Sequence, residues 1–249
     1  MIRTMQDIYS MLWVDLVFLK RNWLKTLATT LVTPVLYLLA FGYGLGRGIN
    51  VEGYSYLQFV IPGIVALTAM TSSFNAAGMK LHVDRLFYKC FDECLMAPIS
   101  FFSIVIGKTL IGVVRGLIST AALLAACLVF SPLPAISPLF VLVLVVSCFV
   151  FSFLGVLVAL LAKSHQDMSV FMSLVILPMT FLSGTFFSLS QLPEPVRVVL
   201  SLLPLTHSSQ CLRAATLGQP FPWISLLVLV GFGAAFFWAC MIVLKRTSL

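Results

Sequence analysis

Apolar residues in this chain come in long blocks, and the blocks draw its outline. Six stretches approach the roughly 20 apolar residues that a helix needs to cross a bilayer core about 30 Å thick: residues 24–45, 57–79, 109–130, 139–162, 168–189 and 223–244. Pro34, Pro62 and Pro178 fall inside them, which membrane helices tolerate where neighbours satisfy the freed carbonyls. Ahead of the first block, Met5, Ile8, Tyr9, Leu12, Leu16 and Leu19 recur at helical spacing, with Gln6, Asp7 and Ser10 on other faces. Residues 1–23 therefore predict an amphipathic helix in the membrane interface, the alternative being an extension of span one. Residues 190–221 carry apolar pieces too short to span, broken by Pro193, Pro195, Pro204 and Gly218. They predict a segment that dips into the membrane on the outer side and returns.

One stretch breaks the apolar pattern. On a helical wheel of residues 82–94, Val83, Leu86, Phe87, Cys90, Phe91 and Cys94 share one arc. His82, Asp84, Arg85, Tyr88, Lys89 and Asp92 share the other, with Glu93 at the border. This predicts a short amphipathic helix between spans two and three, ended by Pro98, because a proline disfavours helical backbone in the residue before it. A solvated loop face is the plain reading. Mixed charge argues for docking into a groove of another protein, since a membrane-anchoring helix is mainly basic.

Composition agrees with the blocks. The 249 residues are 61% hydrophobic and 9% charged, against about 25% charged in a soluble domain. The net charge of +7 flanks apolar runs, so it speaks to orientation and not to nucleic acid. Arg3, Lys20, Arg21, Lys25, Lys80, Arg85, Lys89, Lys163, Lys245 and Arg246 fall on one side, against Arg47, Arg197 and Arg213 on the other. Both termini are expected to be cytoplasmic. The opening MIRTMQDIYSMLWVDL is interrupted by Arg3, Asp7 and Asp15 and does not match a cleavable signal. Cys90 and Cys94 form a C-x-x-x-C, but no partner completes a zinc spacing. No metal is expected.

Catalytic chemistry is sparse. Gly107-Lys108-Thr109 imitates the end of a phosphate-binding loop, but its leading glycine would be Phe102. The three histidines lie near the membrane faces without a nucleophile motif, and no acid lies clearly mid-span. Any ATPase must be a separate chain. Arg115 sits inside span three, where lipid exposure costs about 2.5–3.5 kcal/mol, so it either lines a path or pairs with a partner, unless it snorkels. Span two carries Thr68, Thr71, Ser72, Ser73 and Asn75, which either pack helices or line a path. Tyr37, Phe41 and Tyr43 near the end of span one fit an interfacial belt. Tyr37, Phe41, Ser72, Asn75 and Arg115 are the candidate path residues.

Four ordered stretches bring in a resemblance that covers nearly the whole chain: GYSYLQFVIPGIV (Gly53 to Val65), DECLMAPIS (Asp92 to Ser100), FLSGTFFSLSQLP (Phe181 to Pro193) and LPLTHSSQCLRAATLG (Leu203 to Gly218). With six spans, an interfacial helix and a charged cytoplasmic helix, the chain resembles permease subunits of ABC-2 type exporters. The resemblance is closest to those moving glycolipids, lipooligosaccharides and hydrophobic drugs. It implies a single all-α polytopic transmembrane domain over 1–249, in a bacterial inner membrane. It makes the charged helix a coupling helix seated in the ATPase subunit, with Asp84, Arg85, Lys89, Asp92, Glu93 and Pro98 as contacts. It further implies two ATP-binding subunits that hold ATP and Mg, a homodimer of this chain, and an amphipathic substrate. The family commonly has Asn-Pro and then Tyr before the Arg of its outer segment. Here Leu203-Pro204 and His207 stand in those places while Arg213 is kept, and Pro204, His207 and Arg213 are the candidate outer gate. The competing classes are an ion-coupled secondary transporter and a membrane scaffold without transport.

Overall fold

The computed structural model describes residues 2–45, 50, 51, 53–128, 136–188 and 192–247. Helix α1 (Ile2–Arg21) ends on Lys20 and Arg21, cations that suit the negative end of a helix dipole. A break at Asn22 leads into α2 (Trp23–Tyr37), which runs on as π-helix through Leu38–Leu45. A small hairpin pairs β1 (Asn50–Val51) with β2 (Tyr54–Ser55) in antiparallel register, Asn50 opposite Ser55. Gly53 takes the left-handed backbone of its turn at φ 83°. Helix α3 (Tyr56–Phe74) opens with the Ser55 N–H donating to the Gln58 side chain at 3.3 Å. It continues through a π turn (Asn75–Met79) into α4 (Lys80–Leu86). Then come α5 (Cys90–Met96), α6 (Phe101–Cys127) and α7 (Pro138–Leu161). Ser100 and Ser137 cap α6 and α7 by accepting from the N–H of Ser103 and Phe140. Helix α8 (His165–Phe171), a π turn (Met172–Ile176) and α9 (Leu177–Leu182) form one unbroken rod. Helices α10 (Glu194–Ser201), α11 (Pro204–Leu217) and α12 (Trp223–Thr247) follow.

Helix α3 is the centre of the molecule, packed against α6, α7 and α11. Small residues let the backbones close. A Cβ built at Gly78 would lie 2.8 Å from the Gly155 carbonyl oxygen, and one at Gly155 would lie 2.6 Å from that of Phe74. A side chain at Gly112 would strike Ser152, and one at Gly116 would strike Ser73. In lipid, where apolar surface gives helices no reason to associate, such close approach through small residues supplies the packing.

Among the described residues, five helical stretches are long and apolar enough to cross a membrane: Trp23–Phe41, Tyr56–Leu86, Phe101–Cys127, Pro138–Leu161 and Trp223–Arg246. They match five expected blocks, with two shifts. The helix that holds span two does not stop at residue 79 but continues to Leu86, and the helix that holds span three begins at Phe101, ahead of residue 109. Charged side chains that hydropathy counts as boundaries are neutralised there by partners. The fifth expected block is the α8–α9 rod. It leaves the helix after Leu182, where Gly184 takes φ 69°. Residues 129, 130, 189, 190 and 191 of the expected elements lie outside the described residues, as does Arg47.

The amphipathic stretch at 82–94 differs most from expectation. It is two helices, because the span-two rod ends at Leu86 and Lys89 takes left-handed backbone at φ 54° before α5 starts. Phe87, which closes α4 ahead of the break, is exposed instead of lying buried on the apolar arc. Phe91 keeps its inward place, packed with Leu81, Ile104, Val105, Leu160 and Leu244. Cys94 lies beside it, and burial pushes its thiol pKa up. Ala97, before Pro98, is extended at ψ 152° and ends α5. At the far end of the molecule, α10 exposes Val196, Val198 and Val199, while α11 is buried against α3, α7 and α12. With 14 residues, α11 is about 21 Å long and too short to cross a membrane.

Candidate functional site

A polar stripe on α2 opens the site. Thr26, Thr29, Thr30 and Thr33 recur at helical spacing and face two cavities. The first, of about 590 Å³, lies between α2, α3, α6 and the α8–α9 rod. Thr29, Thr33, Tyr37, Thr71, Ser72, Asn75, Arg115, Ser173 and Thr180 give it a polar lining, and Pro34, Leu67, Met79 and Ile176 an apolar one. The second, of about 560 Å³, lies under α1 and is lined by Asp15, Phe18, Lys80, Asp84, Tyr88 and Ile111, among others. Asn75, Met79 and Arg115 line both, so the two cavities adjoin. Two π turns, Asn75–Met79 and Met172–Ile176, face the first cavity. Such turns recur at functional sites because they widen the helix and re-aim its side chains.

Span two is therefore both packing surface and lining. Thr68 and Ser73 are fully buried and pack, and Thr68 donates to the Ile64 carbonyl at 2.8 Å. Thr71, Ser72 and Asn75 face the cavity. Four of the five expected path residues, Tyr37, Ser72, Asn75 and Arg115, meet in this one space. The fifth, Phe41, stacks on Phe186 at 4.3 Å between ring centres, and Tyr37 meets the same ring at 5.3 Å. Together with Phe181 they form an aromatic cluster at the end of α2 remote from α1.

Under α1 sits an ion cluster that the sequence reading missed. Asp15 is 2% exposed and pairs with Lys80, while Lys108 lies 2.9 Å from Asp84 and 3.8 Å from Asp15. Three elements, α1, α4 and α6, are tied by these four side chains. A signal existed in Asp15, an acid on the face opposite the polar residues of an amphipathic helix. Helix α1 also approaches α6 closely at Gly107, whose added Cβ would meet Met11 at 3.1 Å.

The expected ATPase contacts divide. Asp84 turns inward to Lys108, and Arg85 donates to the carbonyls of Ala159 and Leu160 at the end of α7. Both are committed inside the chain, because the rod of α3 and α4 carries them against α6 and α7. Lys89, Glu93 and Pro98 are exposed, beside Phe87, Tyr88 and Met96. Asp92 lies on α5, with its side chain outside the described residues.

The expected outer-gate residues all sit on α11. Pro204 opens it, and His207 Nε2 lies 2.7 Å from the Ser201 carbonyl oxygen. Arg213 is 6% exposed, with its guanidinium 3.6 Å from the Phe59 ring centre. It donates to the carbonyls of Phe59 and Gly184 at 3.3 and 2.8 Å, joining α11 to the start of α3 and to the turn after α9. Among the described residues no group of three or more His, Cys, Asp or Glu could hold a metal.

A family model described as ABC-2 type transporter matches residues 6–217. The chain is 32% identical over 230 residues to "Inner membrane transport permease YadH" of Escherichia coli (strain K12), covering 91% of this chain and 90% of that protein. It is also 31% identical over 204 residues to "Nodulation protein J" of Neorhizobium galegae, covering 81% and 78%. Nodulation protein J of Rhizobium meliloti (strain 1021) is 29% identical over 209 residues.

Proposed function

We propose, because this chain belongs to the ABC-2 type transporter family, that it is the permease half of an ATP-driven exporter for an amphipathic substrate. Membranes hold this family's permeases, and nucleotide binding belongs to a partner ATPase. The chain is a multi-pass inner-membrane protein, and we place both its termini in the cytoplasm.

The observation that carries the reading is the pair of adjoining cavities. They run from the charged cluster under α1 to the aromatic cluster at the far end of α2, lined by residues from four membrane elements. Helix α2 with its π-helical extension and the α8–α9 rod flank this space and expose Val32, Leu36, Leu39 and Leu174 outward. One copy therefore gives half of a passage, and a second copy facing it would complete the wall. Glycolipid, lipid-linked glycan and hydrophobic drug all fit a space with apolar and hydroxyl linings.

The drive enters at α5. Lys89, Glu93, Phe87, Tyr88 and Met96 offer an exposed mixed surface to the ATPase, and Asp92 and Pro98 belong to the same short element. Asp84 and Arg85 act behind it, passing its displacement to α6 and α7. Tyr88→Ala combined with Met96→Glu tests this. The double variant should insert and melt like the parent, yet recover several-fold less ATPase subunit on co-purification. Full recovery would remove α5 as the contact.

A further inference from the structure

We propose that the junction of the two cavities recognises the anionic headgroup of an amphiphile, held by Arg115, Asn75 and Ser72. The proposal rests on the permease reading and names the chemistry of its substrate.

Arg115 lies near the middle of α6, and its Nε is buried without a hydrogen-bond partner among the described residues. A cation at such depth is ordinarily matched by an acid, because an unmatched one in lipid is costly. Here the nearby acids are taken. Asp15 pairs with Lys80, Asp84 with Lys108, and among the described residues no other Asp or Glu lines either cavity. Among the described residues the space keeps one uncompensated positive charge.

Its neighbours can add donors. Ser72 is 3% exposed and its hydroxyl has no partner among the described residues. Asn75 lines both cavities, as Arg115 does. An arginine fork beside an amide and a hydroxyl suits phosphate or carboxylate oxygens, which take several charge-assisted hydrogen bonds at once. The surrounding threonines differ. Thr29, Thr30, Thr71 and Thr180 donate to carbonyls of their own helices, so they do not compete for the anion. Pro34, Leu67, Met172, Ile176 and Leu177 supply an apolar wall on the same space for a tail.

The test uses the full-length chain in detergent, titrated with phosphatidic acid, with phosphatidylcholine of the same acyl chains, and with inorganic phosphate alone. The parent should prefer phosphatidic acid by about tenfold or more, the scale of one charge-assisted contact. Arg115→Gln should bring the two lipids within about twofold, and Arg115→Lys should restore part of the preference. Asn75→Leu keeps the charge and should lower the preference, which guards against an Arg115→Gln variant that fails to fold. Lys20→Gln with Arg21→Gln removes exposed charge at the end of α1 and should change nothing. Preference that survives both Arg115→Gln and Asn75→Leu, or that vanishes with the α1 charges, overturns the proposal. Arg115-dependent binding of inorganic phosphate without binding of phosphatidic acid assigns the site to a small free anion and overturns it equally. Binding is read without the ATPase, so failure of the permease reading would show separately, as no ATPase subunit recovered while the lipid preference persists.

Discussion

At the scale of single residues, burial decides which charges matter. Asp15 is sealed between α1, α4 and α6 and is the shared acid of two lysines. Asp15→Asn leaves Lys80 and Lys108 with one carboxylate between them. Removing one partner of a buried pair costs about 3–5 kcal/mol, and Lys80, whose side chain is 27% exposed, can relieve part of that by reaching water. A melting temperature clearly below the parent is expected, and Asp15→Asn with Lys80→Met should recover part of it. If the single variant melts like the parent, the cluster does not hold α1. Arg213 and Arg197 make a second contrast on the same side of the molecule. Arg213 is buried over Phe59 and bonded to two carbonyls, whereas Arg197 is exposed on α10. Arg213→Met should destabilise by about 2–4 kcal/mol, and Arg197→Met by no more than about 0.5 kcal/mol, in parallel denaturation measurements.

At the scale of elements, two features set positions, one of them a seam and the other a break. The seam is the contact of α3 and its extension with α6 and α7. An added Cβ at Gly155 meets backbone atoms of Phe74 and Gly78, which cannot swing aside. Gly155→Leu should therefore cost more than the 1–3 kcal/mol usual for overpacking and lower the yield of folded protein. Gly231→Leu, on α12 with nothing within 4 Å, should be silent. Equal yields for the two would mean that the seam is not tightly closed. The break is Lys89, which holds left-handed backbone at a cost of about 1 kcal/mol or more for a side-chain residue. Lys89→Gly relieves that cost while removing an exposed cation. The variant should melt at or above the parent temperature and yet recover less ATPase subunit, separating the shape of the loop from its charge. Pro98 and the extended Ala97 were foreseeable from the chain. The turn at Lys89 was not, because no glycine or asparagine marks it.

At the scale of the whole molecule, the apolar edges of α2 and the α8–α9 rod are where a second copy is expected. Leu174→Cys, 72% exposed on that side, should cross-link to itself in membranes, whereas Ile224→Cys, 79% exposed on α12, should not. Self-cross-linking at residue 224 alone would move the interface to α12. The amino-acid sequence by itself determined five of the long apolar helices, the helix ahead of them, the charged element after the second of them, and the short helices ahead of α12. Those follow from local rules, since a bilayer demands a minimum apolar length and a proline or glycine stops a helix wherever it stands. Only the tertiary structure decided how far the helices of spans two and three extend, because Lys80, Asp84 and Lys108 cost little inside helices once Asp15 arrives from α1. It also sorted the polar run of span two into Ser73 for packing and Ser72 and Asn75 for lining, and turned Arg85 inward to α7. Hydropathy charges each ion or hydroxyl its full cost in lipid. Whether that cost is met depends on which residues from distant helices stand beside it, and spacing along one chain does not contain that information.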